Sequence, residues 1–429
     1  MKKNIYKIPV LIFSFVLAAM LQSCDDKVEI TRTYTIFEPV YMSTTEIRSS
    51  FEVRTPEVLE NPGKIYLFGD YLFINEPSKG IHIVNNADPS NPTIIKFINL
   101  PGNYDMAVRG NSLYADSYMD LVVMDISNLD DIKITHRSED IFTNILSTQV
   151  YNPELGVIVD WEEVEKIEVS SDDFNGDFPR FYAMSDNRMA AAEVSFLSFA
   201  PQQPMVGIGG SMARFTITDN FLYAIDQSRL YSFNITNPEL PAQAPTVNVG
   251  WGIETVFPYK DMLFIGAQNG MYIYSLADPL APIQLSMYQH VMSCDPVVVN
   301  NDIAYVTLRS GNDCRGGTVN QLDVIDVHNP SSPKRLSTHQ MLNPHGLGYD
   351  DGVLFICEGK HGLKVFNAID HKKIGENILM HITGLDAYDV IPYQKNLILI
   401  GENGLRQYNY DDPSKLKLLS TLNINRPIK

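Results

Sequence analysis

The chain has few cysteines, few tryptophans and no apolar run long enough to cross a membrane. Its 429 residues include four cysteines and two tryptophans. The apolar run at residues 8–20 is shorter than the roughly 20 residues that a spanning helix needs. Basic residues are also in the minority, with 33 Lys and Arg against 51 Asp and Glu, so that the formal charge is −18. Such a surface repels nucleic acid and anionic lipid, and we expect no nucleic-acid partner.

Several catalytic motifs are missing as well. The sequence contains no phosphate-binding glycine loop, no His-Glu-x-x-His and no sialidase-type aspartate box. Residues 209–213, Gly-Gly-Ser-Met-Ala, approach a nucleophile elbow, but they open a strand instead of a helix and do not end in glycine. Residues 173–177 are similar to the start of a calcium loop, but Met184 stands where the glutamate ligand is required. We therefore expect no cofactor, with a divalent cation as a minor alternative.

The N-terminus has the layout of a secretory signal. Lys2 and Lys3 precede the apolar run, which ends in Leu-Gln-Ser-Cys at residues 21–24. This ending resembles the lipobox of bacterial lipoproteins, which implies cleavage after residue 23 and acylation, for example by palmitate, of Cys24. The alternative is an ordinary signal peptide followed by a chance cysteine. Cleavage would remove three lysines and no acidic residue, which leaves 30 basic against 51 acidic residues and a formal charge of −21.

The residues behind Cys24 bear on the location of the protein. Asp25 and Asp26 resemble the surface-export signal of Bacteroidota lipoproteins. An aspartate in this place also resembles an inner-membrane retention signal of other bacteria. We expect a lipid-anchored protein of the outer membrane or cell surface.

One short strand-and-turn pattern recurs along the chain. "LVVMD" from Leu121, "LDVIDVHNP" from Leu322 and "MYIYSLADP" from Met271 each combine an apolar strand with a polar turn. Each unit also contains an earlier strand with an aromatic or apolar landmark: Phe73, Tyr114, Tyr223, Phe264, Tyr305, Phe355 and Ile398. Four strands in roughly 41 residues is the length of a propeller blade. The sequence therefore predicts an all-β fold, a seven-bladed β-propeller of four-stranded antiparallel blades. A solenoid and a β-sandwich are the alternatives.

These strands resemble the LVIVD repeat, which occurs in exported, propeller-like proteins and in many Bacteroidota lipoproteins. The resemblance covers roughly residues 64–424 and is good in blades 2, 4 and 5. It is weaker in "LKVFNAID" and "LRQYNYDDP", which lack the terminal aspartate. The predicted layout is a signal peptide at 1–23, a lipid-anchored tether with extra strands at 24–63, and the propeller at 64–424. An insertion of about residues 141–210 separates blades 2 and 3.

Strand direction predicts which features share a face. The connection between two blades and the turn between the second and third strands of a blade lie at the same end. This places the insertion, Cys294 and Cys314 on one face, and export favours a disulfide between the two cysteines. Two free or metal-bound thiols are the alternative. Cys357 lies within an apolar strand and is predicted to be a buried, inert thiol.

The same face receives the start of each innermost strand. Aligned by their landmarks, the repeats place ionisable residues within one position of each other there: Lys64, Asp105, Arg214, Glu254, Asp295, His345 and Asp389. A ring of this kind would bind a polar ligand, hold a divalent cation or supply an acid and a base. The alternative is that strand ends at a channel mouth are wet and therefore polar.

Taken together, these observations favour a cell-envelope lipoprotein that binds a protein, peptide or glycan through the insertion-bearing face. Trp161 and Trp251 offer aromatic contact surface there. An enzymatic function stays open as the less favoured alternative. It would be a hydrolase or lyase at the channel mouth, with or without a divalent cation, that uses Glu254, Asp295, His345 and Asp389.

Overall fold

The computed structural model describes residues 32–143, 150–169, 206–291, 293, 296–311 and 319–425. Cys24, Cys294, Cys314, Asp295 and residues 173–177 lie outside this described part. The chain divides into two compact units. The smaller comprises residues 1–40 and 160–185, and the larger comprises residues 41–159 and 186–429. No helix in the described part is long and apolar enough to cross a membrane.

Seven antiparallel sheets of consecutive strands make up most of the larger unit. Blade 1 contains Ile65–Phe68, Tyr71–Glu76, Gly80–Asn85 and Thr93–Asn99. Blade 2 contains Met106–Arg109, Ser112–Ser117, Asp120–Asp125 and Lys133–Ser138. Blade 3 contains Phe215–Thr218, Phe221–Ile225, Arg229–Asn234 and an outer strand in two pieces, Ala242–Gln243 and Val247–Asn248. Pro245 separates these two pieces because it has no N–H for the ladder.

The remaining blades are regular. Blade 4 contains Ile253–Tyr259, Met262–Ala267, Gly270–Ser275 and Ile283–Gln289, and blade 5 contains Val297–Asn300, Ile303–Leu308, Gln321–Asp326 and Lys334–Gln340. Blade 6 contains Leu347–Asp350, Val353–Cys357, Leu363–Asn367 and Ile378–Ile382, with a 3-10 turn at Ile374–Glu376. Blade 7 contains Ala387–Tyr393, Asn396–Gly401, Gly404–Asn409 and Lys417–Asn423. The predicted propeller is thus confirmed, and the solenoid and sandwich alternatives are wrong.

The repeated turns join neighbouring blades. The first proline of the turn between the third and fourth strands accepts, through its carbonyl, a hydrogen bond from a tyrosine hydroxyl of the preceding blade. Tyr114 donates to Pro238 O at 2.8 Å, and Tyr223 donates to Pro279 O at 2.9 Å. The terminal residue of the third strand stabilises the same turn, since Asp125 and Asp326 each accept the N–H two residues later.

Asparagine replaces this aspartate in the blades where the repeat looked weaker. Asn367 accepts the N–H of Ile369 at 3.0 Å, and Asn409 accepts the N–H of Asp411 at 3.2 Å. The turn needs a side-chain oxygen and no charge, so the lost aspartate does not weaken the blade.

Packing between blades 7 and 1 closes the ring. Leu59, Ile65 and Leu72 share one buried cluster with Ile391 and Ile398. Two side-chain bonds cross the same boundary, from Gln407 Nε2 to Asn86 Oδ1 at 2.6 Å and from Ser420 Oγ to Pro89 O at 2.6 Å. In the described part of the chain, the four main strands of each blade are therefore consecutive in sequence, and blades 1 and 7 exchange no strand.

The segment before blade 1 is firmly packed. A helix at Thr44–Ser49 begins with a capping box of Ser43 and Glu46 and buries Ile47 against Tyr118, Met119 and Val157. The strand Glu52–Arg54 then pairs with Thr93–Asn99 as an additional outer strand of blade 1. Arg32–Met42, Gly156–Val169 and Tyr151–Asn152 form a separate three-stranded sheet.

An ion-pair cluster ties the helix to blade 2. Arg48 Nε lies 2.9 Å from Asp120 Oδ2, and Arg137 Nη1 lies 3.0 Å from the same oxygen. Burial alone would raise the pKa of Asp120, but hydrogen bonds from Arg48, the N–H of Asp140 and Arg137 outweigh it, so that the pKa is lowered.

The two ends of the ring can be named by their loops. The link face carries the connections between blades and the turns between second and third strands, which bond to each other, as in Gln268 N to Gly252 O at 3.0 Å. The turn face carries the other turns. The insertion leaves blade 2 on the link face, where Phe142 N donates to Met119 O at 2.9 Å. It does not stay there, because Val206 is next to Arg109 at the turn-face end of blade 2.

Candidate functional site

The ring of ionisable residues lies at the link-face end of the innermost strands. Lys64, Asp105 and Arg214 directly precede their strands, while Glu254 and Asp389 lie within theirs. His345 stands two residues before Leu347–Asp350. Asp295 lies outside the described residues, so its place in the ring stays a prediction.

The centre of the ring is filled by the chain itself. Residues 206–213, here called the axial segment, run from the turn face towards the link face beside blade 1. Ile208 pairs with Leu67 and Gly209 with Tyr66, and Gly207 N donates to Val108 O at 2.9 Å. Glycine is required at position 207, because a Cβ there would lie 2.2 Å from the Tyr66 ring. The space left between this segment, Lys64 and Asp105 is too small for a water molecule.

Asp105 accepts hydrogen bonds from two neighbouring blades. Lys64 Nζ donates to Asp105 Oδ2 at 2.9 Å, and both side chains are almost fully buried. The same oxygen accepts the N–H of Arg214 and, at 3.1 Å, that of Phe215. Burial lowers the pKa of Lys64, although the Asp105 charge opposes this shift. Asp105 thus holds blades 1, 2 and 3 together, and its oxygens are occupied by the protein's own donors.

Asp389 and His345 are buried with incomplete hydrogen bonding. Ser211 of the axial segment donates to Asp389 Oδ1 at 3.4 Å and accepts the N–H of Leu347 at 2.8 Å. Asp389 Oδ2 and His345 Nδ1 have no partner within the described part of the chain. Burial raises the pKa of Asp389 well above its usual range and lowers the pKa of His345 well below its own. Both groups are therefore neutral under conditions in which an exposed carboxyl or imidazole would begin to ionise.

The fourth blade contributes a further carboxyl. Gln268 Nε2 donates to Glu254 Oε1 at 2.8 Å. Burial raises the pKa of Glu254, and the charges of Arg214 and Arg309 oppose the rise. Among the described members of the ring, Arg214 and Glu254 are half-buried, and the other four are buried. The sequence also allowed these strand ends to be polar simply because they contact solvent. That alternative does not fit Lys64, Asp105, His345 and Asp389, which are 6% exposed or less.

Sequence reasoning missed the residues that fix the links. The acidic residue at the end of a second strand accepts the N–H groups of the link that enters the same blade. Asp116 Oδ1 accepts from Tyr104 N at 2.7 Å and Asp105 N at 2.9 Å, and Glu358 Oε2 accepts from Leu342 N at 2.8 Å. Burial raises the pKa of Asp116 to about 6. The sequence does contain a signal for these residues, namely an acidic residue two or three positions after the aromatic or apolar landmark of the second strand.

The described residues contain one cysteine and bring together no set of metal ligands. Cys357 is fully buried and unbridged, as predicted, and burial raises the pKa of its thiol well above the usual range. The predicted lipid attachment at Cys24 and the predicted Cys294–Cys314 bridge lie outside the described residues. Among the described residues, no three His, Cys, Asp or Glu side chains converge in a way that would hold a metal ion.

Comparison with known protein families finds the same repeat in this chain. The family model of the LVIVD repeat matches residues 63–99, 103–133 and 317–338. These lie in blades 1, 2 and 5, so blade 4 is not matched although a good fit was expected there. No curated protein matches the sequence.

The chain is also similar to solved structures. Saccharomyces cerevisiae Sqt1 has 8% identity and a TM-score of 0.51, with 90% of each chain covered. A functionally unknown protein from Desulfotomaculum acetoxidans has 10% identity and a TM-score of 0.50, with 84% of this chain and all of the other covered. BamB from Moraxella catarrhalis has 6% identity and a TM-score of 0.48, with 88% and 97% covered. At such identities a likeness concerns the fold alone. The chain carries LVIVD repeats on a β-propeller.

Proposed function

We propose that this protein is a lipid-anchored binding module of the bacterial cell envelope, at the outer membrane or cell surface. Cys24 carries the lipid, and the insertion-bearing link face contacts a protein, peptide or glycan. The observation that carries the proposal is the axial segment. Because the chain's own residues fill the middle of the ring, the rim is the surface left for recognition.

The buried ring argues for the same conclusion. A hydrolase or lyase at the channel mouth would need Glu254, His345 and Asp389 to reach a substrate. Asp389 is fully buried beneath Ser211, and His345 is 5% exposed. A fixed scaffold with a buried centre suits recognition at its loops better than chemistry at its centre.

The anchor is tested by metabolic labelling in a bacterial host. An alkyne-bearing fatty acid should label the wild-type chain and leave Cys24→Ala unlabelled. Equal labelling of both chains would contradict lipid attachment at Cys24. Digestion of intact cells by an added protease then distinguishes display on the surface from a periplasmic location.

Recognition is tested by site-specific photocrosslinking in intact envelopes. A crosslinking residue at the exposed Lys360 position of the link face should give a discrete product with an envelope component. The same residue at Ile369 on the turn face is the matched control and should not. Identical products at both positions, or none at Lys360, would contradict recognition through the link face.

A further inference from the structure

Three large apolar side chains are exposed on successive connections of the link face. Trp251 precedes blade 4, Val291 precedes blade 5 and Leu342 precedes blade 6, and they are 45%, 52% and 49% exposed. Their links bond to adjoining turns of the same face, as in His290 N to Asn269 O at 3.4 Å and Met341 N to Asn320 O at 3.0 Å. Single exposed apolar residues are ordinary, but three on neighbouring loops of one rim indicate a docking surface.

This sector also differs in charge from the rest of the acidic chain. Its described links and turns are residues 249–252, 268–269, 290–291, 293, 309–311, 341–345 and 358–362. Within them the acidic side chain is Glu358, which is fully buried and lies 2.7 Å from Lys364 Nζ. Lys360 is exposed beside it. The described part of this sector thus has no exposed carboxylate in a chain of net charge −18, and the half-buried Asp386 on the link to blade 7 lies near Lys360 at its edge.

The turn face differs from this sector in the charges that surround its exposed apolar residues. It too carries exposed apolar residues, with Ile283 at 67% and Ile369 at 75%. Those residues stand among the carboxylates that cap the turns, such as Asp278, Asp326 and Asp370. A surface with negative potential would be repelled from the turn face, whereas the link-face sector presents apolar groups and a lysine.

The N-terminal segment reaches the ring on the link face. Ile47 of the helix Thr44–Ser49 is buried against Tyr118 and Met119, which form the link-face turn of blade 2. Sixteen residues lie between Cys24 and Tyr41, so the lipid is joined to this face by a chain of at most about 60 Å.

We infer that the sector of Trp251, Val291 and Leu342 docks on the surface of the lipid bilayer to which the protein is anchored. The inference rests on the proposed function for the anchor at Cys24 and deepens it. Indole and branched aliphatic side chains at loop tips enter the headgroup region, where tryptophan is enriched, and Lys360 approaches lipid phosphates. Tethering raises the effective concentration of the membrane, so three shallow contacts suffice.

The test uses the processed chain, residues 24–429, with Cys24→Ser to remove acylation and Trp161→Phe to leave Trp251 as the sole indole. Vesicles of phosphatidylcholine, and of phosphatidylcholine with phosphatidylglycerol, are added. The emission of Trp251 should shift to shorter wavelength and be quenched by brominated lipid. In sedimentation, the W251A/V291A/L342A variant should partition at least tenfold more weakly. The I283A/I369A variant should stay within twofold, and all variants should share the thermal midpoint of the parent.

Vesicle binding that is absent, or equal in W251A/V291A/L342A and its parent, overturns the inference. Different results would contradict the proposed function, namely the absence of fatty-acid labelling at Cys24 or of a crosslinked product at Lys360. If W251A/V291A/L342A loses the crosslinked product but keeps its partitioning, the face recognises a macromolecule and the membrane inference is wrong.

Discussion

Lys64 and Asp105 form a buried ion pair across the boundary between blades 1 and 2, with Nζ 2.9 Å from Oδ2. The carboxylate also receives backbone N–H groups from the start of blade 3. Asp105 therefore has more partners to lose than Lys64, and this asymmetry gives the first prediction.

We expect Lys64→Met to lower the free energy of unfolding by about 3 kcal/mol, since it leaves a buried carboxylate without its cation. Asp105→Leu should cost more, because it leaves both Lys64 and two buried N–H groups unpaired. Urea unfolding measures both. Lys415→Ala removes the exposed pair with Asp412 and should leave the urea midpoint unchanged, because water and salt screen this pair. A cost for Asp105→Leu equal to that of Lys415→Ala would contradict the buried pair.

Gly207→Val should displace the axial segment, because the new Cβ would meet the Tyr66 ring at 2.2 Å. We expect a loss of about 2 kcal/mol or more in unfolding free energy and faster hydrogen exchange of the Gly207 and Gly209 neighbourhood. The matched control is Tyr66→Ala with Gly207→Val, which restores the space. If the double variant exchanges as fast as Gly207→Val, the contact with Tyr66 does not hold the segment.

Asp116 should make stability depend on pH. Burial raises its pKa from 3.8 to about 6 in the folded chain. Its contribution is therefore fully present below pH 3.8 and is lost as the pH rises through 6. Asp116→Asn keeps an oxygen for Tyr104 N and Asp105 N but cannot ionise. Between pH 4 and pH 7.5 the wild type should lose of the order of 2 kcal/mol relative to this variant. Parallel stability curves for the two proteins would show that Asp116 titrates normally.

Tyr114→Phe and Tyr223→Phe each remove one hydroxyl that donates to a proline carbonyl of the next blade. We expect each to cost about 1 kcal/mol, and the two losses to add, because the sites lie at different blade boundaries. Phe73 and Phe264, which occupy the same place in blades 1 and 4, show that the ring itself fits without the hydroxyl. Thermal unfolding would contradict the prediction if both variants matched the wild type.

Arg48→Ala should loosen the N-terminal segment and leave the ring folded. Arg137 and the N–H of Asp140 still neutralise and solvate Asp120, so a loss of about 1 kcal/mol is expected. Limited proteolysis should cut the variant near residues 42–58 before any blade is cut. Arg54→Ala, which removes only exposed pairs, is the control. Cleavage of both variants at the wild-type rate would show that Arg48 does not fasten the helix.

The blade architecture could be predicted from the sequence, because alternation, landmarks and turn prolines are local signals that repeat. The register of the ring residues followed from the same alignment. The axial segment could not, since it lies in an insertion and its pairing with Ile65–Phe68 spans over 130 residues of sequence. The hint was the run Gly-Ile-Gly-Gly at 207–210, whose lack of side chains suits a crowded place beside Tyr66. Without that segment the ring residues looked like a wet channel mouth, and their burial was unforeseen.

The axial segment also bears on how the ring is assembled. Blades 1 and 2 precede it in the chain and blades 3 to 7 follow it. In a chain that emerges N-terminus first, Ile208 and Gly209 can pair with the free inner edge of blade 1 before the later sheets have formed. In that order of folding, blades 3 to 7 close around a strand already in place, and no chain end has to be threaded through a finished ring.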